Sequence, residues 1–418
     1  MLKAFLEDKT ARRVRAVFAL ALVGGLLAAC AGRPYGTLIA TAPDPQAGTV
    51  DLMVATTRAP VVQPAGVMFG GSRGLGLDFA DIVVSIPPGR ASGEVRWPTT
   101  GPADPARDFA ILRADRMTLA EAKANFDRRV RAVPGRRVLV FVHGFNTRFE
   151  EAVYRFAQIV YDSNVKVAPV LFTWPSGGNV TDYVYDRDSA MYSRDALEKV
   201  LQAIADDPNV GSISILAHSM GNYVLVESLR QMSIRDRGLP SKIRDVMLAS
   251  PDIDVDVFRR QIATIDASPR TTQFTLFVSR DDRALGLSSL IARDSTRLGS
   301  LDPTKQPYLS MLEDSHVKVI DLTTLRSDDP TNHGKFASGE VVQAIGSRLA
   351  SGQRLNDGGG GVVESIGAFT GGAIGLAAGV ATEAVTAPTM LTDPTRSEKS
   401  VDTTKDSPGL DPIAASAK

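Results

Sequence analysis

The sequence predicts an α/β protein, a mostly parallel sheet with helices on both faces, led by a β-rich amino-terminal extension. Three observations carry this. Apolar runs such as Val138 to Val142 (VLVFV) suit strands covered on both faces. Segments between such runs place apolar residues at helical spacing, as at Ala152, Phe156, Ile159 and Val160. The two kinds of segment alternate along the chain, which sets successive strands side by side with helices crossing over them.

The elements follow in order after Pro134. Strands are predicted at Val138 to Val142, Val170 to Thr173, Ile213 to Leu216, Val246 to Leu248, Phe274 to Val278 and Val317 to Leu322. Helices are predicted over Arg148 to Asp162, Ala190 to Ala205 and Tyr223 to Met232. In the second, Leu197, Val200, Leu201 and Ile204 share one side. This gives a domain over residues 135–351. Before it, residues 50–134 hold short β-rich pieces (VDLMVATTR, ADIVVSI) separated by Gly and Pro, and read as the extension. FGGSRGLGL, from Phe69, is glycine-rich, but no helix-forming segment follows at phosphate-loop spacing, so it reads as a flexible loop.

Composition excludes several classes. The 418 residues are 44% hydrophobic, with 47 Lys+Arg against 47 Asp+Glu. That balance gives no basic excess for nucleic acid. Four histidines and one cysteine make a zinc cluster hard to assemble and an intrachain disulfide impossible.

At the amino end a charged segment (Lys3, Arg12, Arg13, Arg15) precedes Ala16 to Ala29, which carries no charge. The run is short for a membrane span and suits a signal-peptide core. It closes on Leu27-Ala28-Ala29-Cys30, which resembles the lipobox of bacterial lipoproteins. That resemblance implies removal of residues 1–29 and acylation of Cys30, a membrane anchor. Ala31 after the cysteine, rather than Asp, implies the outer membrane, with the protein facing the periplasm. Residues 30–49, rich in Pro, Ala and Thr, read as a tether.

Residues 352–418 read as a Gly-rich and polar tail. Within it Gly367, Gly371, Gly375 and Gly379 recur every fourth residue, inside a charge-free segment from Ser365 to Thr382. They either line one helix face for self-association or membrane contact, or form a flexible linker.

The chemistry centres on ILAHSMGN, residues 215–222. A strand, a tight A-H-S-M-G turn and a helix from near Asn222 make the context of a nucleophile elbow around Ser219. Ala217 stands where glycine is usual, one methyl more. Earlier, Val138 to Val142 runs into His143-Gly144-Phe145-Asn146. The amide after such an HG pair, Phe145, joins the amide after the serine, Met220, as an oxyanion hole. Downstream, Asp281 and Asp282 follow a strand in SRDDRAL, and NHGKF places His333 in a loop after the last strand. His143 and His218 belong to turns and His316 begins a strand, which leaves His333 as the best-placed base. The plain alternative, a helix-capping serine and a solvated histidine, leaves this joint arrangement to coincidence. Trp174 in FTWPS either floors an acyl pocket or packs beside the site. YDRDSAMYSRDALE either contacts substrate or forms a hydrogen-bonded helix start.

FVHGFN, FTWPS, YDRDSAMYSRDALE, AHSMGN, ASPDID, SRDDRAL and NHGKF together resemble the bacterial α/β-hydrolase family of unknown function within the esterase/lipase superfamily. The VATTR and IVVSIPPG pieces fit that family's leading region. The resemblance implies the α/β-hydrolase fold and a Ser219-Asp282-His333 serine hydrolase acting on a small-molecule or lipid acyl ester through an acyl-enzyme, with no metal or organic cofactor. Its S-x-x-D-x-A-L pattern puts the acid at Asp282. Asp281 would then face solvent or cap the turn, and Asp252, in ASPDID, is the other contender. An amidase, thioesterase or acyltransferase with the same triad, or a catalytically silent envelope lipoprotein, are the competing functions.

Overall fold

A computed structural model describes residues 33–265, 272–350 and 362–369. In chain order come β1 (Gly48–Pro60), β2 (Phe69–Ile86), β3 (Ala110–Met117), α1 (Leu119–Ala132), β4 (Arg137–Val142), α2 (Phe149–Ser163), β5 (Ala168–Thr173), α3 (Tyr183–Asp206), β6 (Ser212–His218), α4 (Gly221–Asp236), β7 (Ile243–Ala249), α5 (Val255–Ile265), β8 (Gln273–Val278), α6 (Arg283–Ile291), α7 (Tyr308–Asp314), β9 (Lys318–Asp321), α8 (Gly339–Ala350) and β10 (Val363–Ser365). The strands form one sheet, ordered β10-β9-β8-β7-β6-β4-β5-β1-β2-β3. β1 pairs parallel with β5, and β2 is antiparallel to both its neighbours.

The continuous apolar strands work as the sequence implies. Val138, Val140 and Val142 of β4 enter one core, packed with Leu197 and Leu201 of α3 and Leu225 of α4. Leu139 and Phe141 point the other way, into a second core with Phe156 of α2 and Val341 of α8. This is the period-2 alternation of a strand, with an apolar partner on each face.

The order of the sheet positions the site. From β4 the chain crosses over α2 to β5 on one side, then returns over α3 to β6 on β4's other side. The winding therefore reverses between the parallel strands β4 and β6, and it is at the carboxyl ends of such a switch point that open α/β sheets hold ligands. His143 and Gly144 follow β4, and Ser219 follows β6.

Four segments differ from the sequence reading. FGGSRGLGL is the first half of β2, not a loop. Its glycines serve close approach: a Cβ on Gly74 would lie 2.8 Å from the Arg58 carbonyl oxygen. The extension contains α1, whose start is a capping box: Thr118 Oγ1 accepts from Glu121 N while a Glu121 carboxylate oxygen accepts from Thr118 N. The tether is packed from Arg33 onward, with Thr37 and Leu38 buried. The tail returns to the sheet as β10, which pairs with β9. Glu364 there meets the buried Lys318 at 2.6 Å and Arg348 at 3.2 Å. Two cations with one buried carboxylate between them explain why so short a strand holds its place.

Candidate active site

Ser219 is nearly buried and sits at φ 52°, in the left-handed region that a non-glycine residue adopts only when its surroundings hold it there. Its amide donates to Ala249 O at 2.9 Å, and Asn222 Nδ2 donates to Ser219 O at 3.0 Å and Ala249 O at 2.9 Å. These bonds tie the elbow to the end of β7. A Cβ on Gly221 would stand 2.3 Å from His143 O, and one on Gly144 would stand 2.8 Å from Ser219 Cβ. The two turns therefore touch through glycines. Ala217, by contrast, is fully buried in the core, and its extra methyl is accommodated there.

His333 is brought to Asp282. Its Nδ1 lies 2.7 Å from Asp282 Oδ2, while Asp282 Oδ1 accepts from Leu285 N at 3.0 Å and so caps α6. Burial alone would lower the His333 pKa, but the bond and charge of Asp282, with Asp252 and Asp329 further off, outweigh it and the value is raised. The His333 ring lies 4.6 Å from that of His218, the residue before Ser219. His218 stacks on Phe336 at 4.4 Å, and burial followed by the neighbouring His333 drives its pKa well below the usual value.

The other carboxylates are engaged elsewhere. Asp252 accepts from Tyr183 Oη at 2.9 Å and Ser288 Oγ at 2.6 Å, and pairs with Arg297 at 3.2 Å. Asp281 is exposed to solvent as expected, but it is also engaged. It pairs with Lys335 at 2.8 Å and accepts from Ser279 Oγ at 2.5 Å. Lys335 is buried and donates further to Leu322 O and Thr323 O. It thereby fastens the His333 loop to the Asp282 loop.

The amides of Phe145 and Met220 have no acceptor among the described residues. The loop carrying Phe145 is held on several sides, by Arg58, which the sequence reading left unassigned, and by Asp186 of the YDRDSAMYSRDALE segment. Arg58, from β1, is buried and donates to Thr147 O at 2.7 Å, Ser176 O at 3.1 Å and Gly70 O at 3.0 Å. Asp186 is fully buried, and it accepts from Asn146 N at 3.1 Å, Gly177 N at 2.8 Å and Ser176 Oγ at 2.5 Å. Burial raises the Asp186 pKa, against those bonds. The YDRDSAMYSRDALE segment thus contributes a buried hydrogen-bonding anchor to the loop.

His143 belongs to the same support. Trp174 N and Arg58 Nη2 point at its Nε2, at 3.1 and 3.3 Å, with Trp174 O also 3.1 Å from that nitrogen, while Nδ1 lies 2.8 Å from Gly144 O. The carbonyl alone at Nδ1, and two donors against one carbonyl at Nε2, favour the proton on Nδ1. The ring is neutral, its pKa pushed down to about 3 by burial and then by Arg58. Trp174 is fully buried, stacks on this ring at 4.8 Å, and donates from Nε1 to His143 O at 2.8 Å. Its place is beside the turn, in packing.

Residues 118–348, more than half the chain, match the family described as alpha/beta hydrolase of unknown function (DUF900). The chain belongs to this family. The DUF900 match begins at α1 and runs to α8, so it takes in the elbow, the HG turn and the Asp282 and His333 loops but leaves β1 and Arg58 outside. An uncharacterized protein of Nostoc sp. (strain PCC 7120) is 27% identical over a 122-residue alignment covering 23% of this chain and 32% of that protein. The chain therefore spans about a third of this relative's length. Cys30, Gly371, Gly375 and Gly379 lie outside the described residues; Gly367 is exposed just beyond β10.

Proposed function

We propose that the protein is a serine hydrolase that cleaves an acyl ester through an acyl-enzyme. The observation that carries this is the 2.7 Å bond from His333 Nδ1 to a carboxylate in the protein whose serine occupies a strained strand-to-helix elbow. Asp282 keeps the His333 proton on Nδ1, so that Nε2 is the basic nitrogen. His333 accepts the Ser219 proton as Oγ bonds to the carbonyl carbon, and the Phe145 and Met220 amides donate to the oxygen that gains charge. Collapse expels the alcohol, protonated by His333. Water, deprotonated by the same imidazole, then adds to the acyl carbon and releases the acid and Ser219.

Labelling with a fluorophosphonate probe, alongside hydrolysis of short 4-nitrophenyl esters, tests the reading. Both are expected in the wild type and lost in a folded Ser219→Ala variant. A labelled Ser219→Ala protein, or a folded wild type that neither labels nor hydrolyses esters, overturns it.

The lipobox motif supports a further part of the reading, a lipid anchor at Cys30 that holds the enzyme at the bacterial envelope on the periplasmic side of the outer membrane. Self-association through Gly367, Gly371, Gly375 and Gly379 is proposed on their spacing alone.

A further inference from the structure

A pocket of about 250 Å³ opens between the HG turn and the His333 loop. Ser219, Phe145 and Met220 do not line it, but His218, His333 and Gly144 do, and Gly144 is the residue whose Cβ would collide with the serine. Trp97, Phe141 and Phe336 supply apolar lining, and Arg155 of α2 supplies a cation. The volume lies below the roughly 300–1,000 Å³ of pockets for drug-sized ligands, so it suits a short group rather than a long acyl chain.

One nitrogen of Arg155, Nη1, donates to Gln158 Oε1 at 2.9 Å and Gly93 O at 3.3 Å. Nε and Nη2 have no acceptor, and no carboxylate among the described residues comes within ion-pairing distance. The guanidinium carbon lies 5.6 Å from the centroid of the Trp97 ring, a cation–π contact that uses none of its donors. The two carboxylates that also line the pocket are already occupied. Glu151 takes two bonds from Arg33, at 2.6 and 2.5 Å, and one from Arg148 N. Asp329 is turned into its own loop, accepting from Thr331 N, Thr331 Oγ1 and Gly334 N. Burial draws the Arg155 pKa down to about 10, which leaves it charged at neutral pH. Neither Nε nor Nη2 is closed off from solvent, so the half-buried cation offers two open donors beside an apolar wall to a ligand in the pocket.

We infer that Arg155 is the receptor of an anionic-group subsite, so that the preferred ester carries a carboxylate or phosphate a short chain away from its scissile carbonyl. A planar guanidinium with adjacent free N–H groups binds either oxyanion in bidentate fashion, and the Trp97 side accepts the intervening methylenes. This inference rests on the proposed hydrolase reading for its position beside the scissile bond, but the binding it requires is independent of turnover.

The test compares 4-nitrophenyl pentanoate with the mono-4-nitrophenyl ester of glutaric acid, which share a five-carbon acyl chain. Wild type is expected to favour the glutarate ester in kcat/KM. Arg155→Gln should lose about tenfold or more on it, as charge-assisted hydrogen bonds imply, while changing little on the pentanoate. Arg155→Lys should restore part of the preference, which separates charge from fold. Glutarate and inorganic phosphate, each added alone, should raise the Tm of Ser219→Ala protein but not of Ser219→Ala/Arg155→Gln. A shift with glutarate only identifies a carboxylate end, and one with phosphate only a phosphate end. No preference in wild type, a preference that survives Arg155→Gln, or no Tm shift with either anion overturns the subsite. Loss of all ester hydrolysis with the Tm shift intact sinks the hydrolase reading and leaves the anion site standing.

Discussion

Asp282 uses its two carboxylate oxygens for two different elements, Oδ2 for His333 Nδ1 at 2.7 Å and Oδ1 for the Leu285 amide at 3.0 Å. An acid clamped at a helix start cannot rotate away from the imidazole, so the histidine is oriented by the backbone of α6 as much as by charge. Asp252, held by Tyr183, Ser288 and Arg297, has no such partner.

Asp282→Asn keeps an oxygen for the Leu285 amide, so the protein should fold, but the amide no longer favours the needed tautomer. Turnover is expected to fall by about a thousandfold or more. Asp252→Asn should lose stability through its Arg297 partner yet keep turnover within about tenfold. Near-normal Asp282→Asn beside an inactive Asp252→Asn would move the acid to the end of β7.

The raised His333 pKa sets the pH dependence. The base must be neutral, so kcat/KM should rise with pH along a limb centred above the usual histidine value of 6.5. Asp282→Asn should move that limb downward. For the fold the sign is opposite: the pairing stabilises fully below the unfolded value and its contribution fades as pH rises through the raised one. A pH–rate profile and Tm measured across the same range check both.

Arg58→Met removes the donors to Thr147 O, Ser176 O and Gly70 O, at a cost of roughly 2–4 kcal/mol in stability. Because these bonds shape the loop that presents the Phe145 amide, kcat should fall more than KM rises, with partial recovery in Arg58→Lys. Unchanged kcat in folded Arg58→Met would show that the loop holds its shape without β1.

Truncation separates the two parts of the tail. A chain ending at Thr370 keeps β10 and should retain full stability and activity. Ending it at Asp357 removes Glu364 from Lys318 and Arg348, two buried cations, which should cost about 3–5 kcal/mol. Thermal melts of the two truncations decide; equal Tm values would mean that β10 adds nothing.

Cys30→Ser should abolish incorporation of labelled palmitate and release the protein from membranes. Persistent labelling of the variant removes the lipoprotein reading.

Much of the site is local, and that is why it could be read from the chain. Ser219 lies within one strand-turn-helix motif, and Asp282 and His333 each follow a strand in a short signature. Arg58, Asp186 and Lys335 act across the fold, on residues far away in sequence, and a lone cation or carboxylate in a strand or helix carries no mark of its partner. A signal for α1 did exist, in the T-x-x-E spacing of Thr118 and Glu121. β10 had none: three residues beyond a glycine run resemble any polar tail until Lys318 and Arg348 are seen beneath them.

Arg33, where the described chain starts, reaches the candidate site. Its guanidinium grips Asn146, the neighbour of Phe145, through both Oδ1 and O, and also reaches Gly178 O. Only Ala31 and Gly32 separate it from Cys30, at most about 11 Å of chain. An acyl anchor there would keep Arg33, and with it the Asn146 loop that Arg33 binds, close to the bilayer surface. Such an enzyme would work at the bilayer's edge, taking its ester from the interface instead of from open solution.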